Sequence, residues 1–97
     1  MARRFYLVSY DVADDKRRTR VFKLLRDTGD RVQYSVFCCQ LNERELHALK
    51  EGIKERLDRD EDQTIFLDAG PVDGQRPTPD VTFVGRRWEP EARSQIV

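Results

Sequence analysis

The residues able to do chemistry gather near the N-terminus. In YLVSYDVADDKRRTRV, Tyr6 to Val21, an apolar run ends in Asp11, two more acids follow at Asp14 and Asp15, and then come Lys16, Arg17, Arg18 and Arg20. A carboxylate at the end of a strand has a fixed backbone behind it. Mg²⁺, or Mn²⁺ in its place, keeps most of its waters and is often held by one or two carboxylates plus substrate phosphates. Held there, such an ion polarises a phosphoryl oxygen or lowers the pKa of a bound water. The planar fork of arginine matches phosphate, and a helix start adds free N–H groups. Asp11 is thus a metal candidate, and Arg17, Arg18 and Arg20 are phosphate candidates. One Asp11 is a sparse site, but two copies meeting near a dimer axis hold one ion between them, or one each. The competing reading is plain: Asp14 and Asp15 pair with these arginines on an ordinary charged surface.

Other chemistries find little support. The sequence has no GxGxxG and no GxxxxGK[ST]. Its single histidine, His47, falls on a helical pattern and reads as a helix-surface residue. Cys38, Cys39 and His47 lack zinc spacing. Adjacent strand cysteines point to opposite faces and are poorly placed to bridge each other, so no disulfide framework exists. That fits a reducing cytoplasm, the expected location. No apolar run approaches the roughly 20 residues of a membrane span. MARRFYLVSYDV lacks a small-residue cleavage site and reads as a first strand.

The elements that position these residues follow from periodicity. With 97 residues the chain is expected to be one domain, residues 1–87, with a polar tail over 88–97. Residues 1–40 hold nine Lys/Arg against five Asp/Glu, a net of +4, and the remainder carries −4. A basic half of this kind suits a nucleic-acid partner better than the neutral average does. Phe5–Val12 is a strand with apolar residues on both faces, which calls for cover on both. Val21, Leu24, Leu25 and Thr28 stripe an amphipathic helix, capped by Asp14 or Asp15 and stopped at Gly29. DRVQYSVFCCQL is long for one strand and is expected to break near Tyr34–Ser35. Asn42 and Glu45 make a capping box for a second helix striped by Leu46, Leu49, Ile53 and Leu57. TIFLDAG is a fourth strand, the Pro- and Gly-rich residues 70–80 a loop, and VTFVGRR a fifth strand. The order is that of an α+β, ferredoxin-like βαββαβ fold with an additional C-terminal strand. Its two helices cover one sheet face. A second copy of the chain is the simplest cover for the other, so a homodimer is expected.

YDV, ADD and KRRTRVFKLL, followed by GDRVQYSVF, resemble the small CRISPR-associated adaptation protein, the "Cas two" family, over roughly residues 4 to 86. The resemblance implies a ferredoxin-like dimer and a Mg²⁺-dependent endonuclease acting on single-stranded RNA or double-stranded DNA. It also implies partnership with the "Cas one" integrase in acquiring spacers. By position it makes Asp11 the metal-binding, catalytic aspartate. Arg18 and Arg20 become the helix arginines, Arg31 the arginine before Val-Gln, and Phe37, with Tyr10 of Tyr-Asp, site-shaping residues. Many relatives carry Glu after Ser-Val-Phe, where this chain has Cys38.

Four readings stand side by side. One is a metal-dependent phosphodiesterase with Asp11 on Mg²⁺ and the arginines on phosphates. The second is a non-catalytic scaffold whose dimer binds duplex DNA and bridges integrase dimers. The others are a VapD-like endoribonuclease toxin and a single-strand RNA reader stacking bases on Tyr6, Tyr10, Tyr34 or Phe37.

Overall fold

The computed structural model describes residues 2–75 and 79–86. The elements run β1 (Arg4–Asp11), α1 (Asp15–Thr28), β2 (Asp30–Gln33), β3 (Val36–Leu41), α2 (Glu43–Lys54) and β4 (Gln63–Pro71). They form one four-stranded sheet in the order β2-β3-β1-β4, with every neighbouring pair antiparallel. This is the α+β, ferredoxin-like βαββαβ plan. The expected break falls at Tyr34–Ser35, a turn between β2 and β3.

Local chemistry explains the boundaries. Asp14 is the N-cap of α1, accepting a hydrogen bond from the Arg17 backbone N–H at 3.0 Å. Asn42 and Glu45 form a reciprocal capping box at the start of α2. Gly29 ends α1 for a reason of space rather than backbone freedom. Its φ of −154° is open to any residue. A Cβ there, however, would lie 2.5 Å from the Cys38 carbonyl oxygen and 2.6 Å from Cys39 Sγ. The helix end is pressed against β3, and no side chain fits between them.

The core lies between the helices and one sheet face. Val8 and Tyr10 of β1 meet Phe37, Cys39 and Leu41 of β3, with Val21 and Leu25 of α1 and Leu49 and Ile53 of α2 above them. Strand alternation sends the other residues to the opposite face. There Leu7 lies between Cys38 and Leu67, and Ser9 between Val36 and Ile65. Ile65 and Leu67 remain 54% and 57% exposed. Neither helix covers this apolar strip, so the second cover that the two-faced pattern of β1 calls for is not supplied by the described residues.

Val81–Val84, the main part of the expected additional strand, follows β4 and joins no strand ladder among the described residues, and Val84 is almost fully exposed. Arg87 and the expected tail over 88–97 lie outside the described residues.

Candidate functional site

Asp11 closes β1, opposite Gln63 of β4. It is exposed, and among the described residues its carboxylate has no hydrogen-bond or ion-pair partner. Alternation places it with Leu7 and Ser9 on the open sheet face. Tyr10, the residue before it, points the other way into the core, 5% exposed. Its ring stacks on Phe37 at 6.3 Å, and its hydroxyl donates a long 3.4 Å hydrogen bond to the Tyr34 carbonyl. Burial pushes the Tyr10 phenol up from its usual pKa, against a smaller opposing pull from Arg31. Phe37 is fully buried in the core, its ring against those of Tyr10 and Phe22.

The arginines divide into three kinds. Arg17 is tied down: its Nε donates to Asp62 at 2.7 Å, and its Nη2 reaches Asp62 at 3.2 Å and Glu61 at 3.7 Å. Asp62 is buried at the side chain and also accepts from the backbone N–H groups of Ala13 and Asp58, at 2.9 and 2.8 Å. The Arg17 guanidinium, helped by those N–H groups, holds the Asp62 carboxyl well below the usual carboxylate range. Arg17, expected as a phosphate ligand, is engaged within the chain instead. Its fork is spent on locking the loop after Asp11 to the loop before β4.

Arg18 and Arg31 come together. Arg18 pairs with Asp15 at 2.6 Å and donates from Nε to the Val12 carbonyl at 3.2 Å, leaving Nη2 without a partner. Arg31 donates from Nη2 to the Tyr34 carbonyl at 3.1 Å. Its guanidinium lies 5.2 Å from the Phe22 ring centroid and 5.2 Å from that of Tyr34, a cation–π contact with each ring. With Tyr10 and Asp15 these residues line an open pocket of about 360 Å³ between α1 and the β2–β3 turn.

Arg20 is of the third kind, exposed and unpaired among the described residues. Lys16 and Lys23 share its helix face at i−4 and i+3, also exposed and without ion pairs. The sequence reading passed over Lys16 and Lys23 as ligands, although their spacing with Arg20 was visible.

This geometry separates the two chemistries. The arginine pocket belongs to the helix side of the sheet, while Asp11 belongs to the open side. Within one chain the metal candidate and the pocket do not converge. Among the described residues no group of three His, Cys, Asp or Glu side chains is placed to hold a metal ion. Cys38 adds none: burial, with a smaller push from Asp30, raises its thiol to about 11, so it is neutral at pH 7. Cys38 stands opposite Leu7, four residues from Asp11, or roughly 13 Å along the strand. Even a glutamate there would not reach Asp11 in the same chain. His47 is exposed on α2, as read from the sequence. No helix among the described residues is long and apolar enough to cross a membrane.

Comparisons with known proteins agree with this architecture. The family profile described as CRISPR associated protein Cas2 matches residues 4–72. The CRISPR-associated endoribonuclease Cas2 of Geobacter sulfurreducens is 32% identical over 92 residues, covering 95% of each chain. The CRISPR-associated endonuclease Cas2 2 of Thermus thermophilus is 42% identical over 87 residues, covering 87% of this chain and 97% of the relative. A solved structure of a hypothetical protein from Thermus thermophilus superposes with a TM-score of 0.74 at 38% identity, over 92% of this chain and 99% of that one. The Tyr-Asp strand end, the basic helix start and the buried Phe37 thus sit in a fold shared with proteins that match along most of their length, and the chain belongs to the CRISPR-associated Cas2 family.

Proposed function

We propose that this Cas2-family chain serves CRISPR adaptation as a nucleic-acid-binding scaffold: a homodimer that grips duplex DNA and bridges subunits of the Cas one integrase. One observation carries the reading. Lys16, Arg20 and Lys23 line the outer face of α1 without an ion pair among the described residues, on the side of the sheet away from Asp11. An unpaired cationic stripe of this kind neutralises phosphates without any metal chemistry. The homodimer rests on the apolar strip around Leu7, Ile65 and Leu67, which neither helix covers and which a second copy of the sheet would bury. The test is duplex-DNA binding between 50 and 200 mM salt. The scaffold reading expects affinity to fall steeply, and salt-independent binding would defeat it.

A second reading has its own observation, the unpaired Asp11 carboxylate on the open face. One carboxylate per chain, or two across a dimer, fits Mg²⁺ or Mn²⁺, which accept few protein ligands. Bound there, the ion would supply Lewis acidity and a more acidic water. Asp11 would hold it, and the arginines of a neighbouring surface would orient the phosphodiester of RNA or DNA. Several relatives bear names that include endonuclease or endoribonuclease, in keeping with this activity. Cleavage assays on RNA and DNA with Mg²⁺ and with EDTA, on wild type and Asp11→Ala, decide it. Equal cleavage by both proteins removes Asp11 from any mechanism.

A further inference from the structure

We propose that the pocket between α1 and the β2–β3 turn receives one unpaired nucleotide, its base against Tyr34 and its phosphate on Arg18 and Arg31. The inference deepens the nucleic-acid reading above and rests on it. It names a strand end or splayed base, rather than continuous duplex, as the partner of this pocket.

Three features of the pocket argue for it. Tyr34 is 70% exposed, so nothing in the core explains its ring. One face of that ring is covered by the Arg31 guanidinium at 5.2 Å. The rest of that exposed ring can therefore take one more flat layer, and every base has a π-face to offer.

The second feature is the Arg31 guanidinium itself. Two rings, each with its centroid 5.2 Å from the guanidinium carbon, hold it in place and leave its N–H groups to hydrogen-bond. One edge nitrogen is used by the Tyr34 carbonyl, and Nε and Nη1 remain free beside the cavity. Arg18 adds an unpaired Nη2 on the facing wall. Two cations stand against the single acid Asp15, so the pocket carries a net positive charge suited to one phosphate.

The third feature is size. The cavity of about 360 Å³ lies at the small end of ligand pockets and is open on one side. A nucleotide still joined to its strand enters such a site without being enclosed. A paired base cannot, because its faces are already stacked and its edge is occupied.

The experiment compares three labelled DNAs by fluorescence anisotropy at fixed salt: a blunt duplex, the same duplex with a four-nucleotide single-stranded extension, and one with an abasic extension of equal length. Wild type is expected to bind the base-bearing extension roughly tenfold tighter than the abasic one, the scale of one stacked base. Tyr34→Ala is expected to abolish that difference while leaving blunt-duplex affinity unchanged, and Tyr34→Phe to retain it. Equal binding of the abasic and base-bearing DNAs by wild type overturns the proposal. So does a Tyr34→Ala loss of the same size on all three. Failure of the scaffold reading looks different: the blunt duplex does not bind, yet a base-dependent gain on a single-stranded oligonucleotide still supports the pocket.

Discussion

Arg17 and Arg20 lie three residues apart on one helix, and the structure assigns them opposite duties. Substituting each separately by Gln tests the assignment. Arg20, with Lys16 and Lys23, forms an exposed stripe without ion pairs among the described residues, seven residue steps or about 10 Å along the helix. Each phosphate contact to B-DNA contributes about −0.9 to the slope of log K against log salt. Removing Arg20 should flatten that slope by about 0.9, so that raising salt from 50 to 200 mM costs about 3.5-fold less affinity. The triple variant Lys16→Gln, Arg20→Gln, Lys23→Gln should flatten it by about 2.7, or about 40-fold over the same range. Thermal stability should nearly hold, because none of the three makes an ion pair among the described residues and Lys16 meets the exposed Asp14 only at longer range. Arg17→Gln should do the reverse. It strips Asp62 of its nearest cation and leaves a buried carboxylate under-compensated, so Tm should fall by roughly 5–15 °C while the salt slope stays put. Anisotropy titrations at four salt concentrations, with a melt of each variant, provide both readouts. A flattened slope in Arg17→Gln without loss of Tm would refute the reasoning, since Arg17 would then leave Asp62 to meet phosphate.

Two further outcomes follow from particular contacts. Gly29→Ala should lower Tm by roughly 5–20 °C, the cost of overpacking, because the new methyl meets a backbone carbonyl at 2.5 Å as well as a thiol at 2.6 Å. Cys39→Ala should not rescue it, and a melt unchanged from wild type would show that the helix end can lift from β3. Asp62→Asn bears on pH: the folded pKa of Asp62 is depressed, so its charge stabilises fully above about pH 4, the unfolded value, and less as pH falls below that. The Tm gap between wild type and Asp62→Asn should be largest near pH 7 and narrow from pH 4 toward pH 2, and a gap constant across that range would remove the carboxylate charge from the explanation.

Much of the fold was legible because its signals are local. The alternating run through Phe5–Val12, the Asn42–Glu45 capping box and the stripe from Leu46 to Leu57 each specify an element through residues close in sequence, and the structure follows them. The Tyr34–Ser35 break was readable because the strand-forming run exceeds an ordinary strand length. What escaped was set by distant pairings. Arg17 looks like its neighbours until Asp62, 45 residues on, is folded against it. The side of the sheet taken by Asp11 follows from alternation, but the side taken by the arginines depends on where α1 packs. Gly29 was recognised as a stop, whereas its cause, the closeness of β3, needed the packed structure.

The central claim is that the open-face carboxylate and the helix-side cations are separable functions of one chain. Spacer acquisition in cells carrying the adaptation genes, scored for Asp11→Ala beside the Lys16, Arg20 and Lys23 triple variant, tests it most directly. The account predicts near-normal acquisition with Asp11→Ala and loss with the triple variant. Acquisition abolished by Asp11→Ala while the purified variant stays folded and binds duplex DNA as wild type would contradict it.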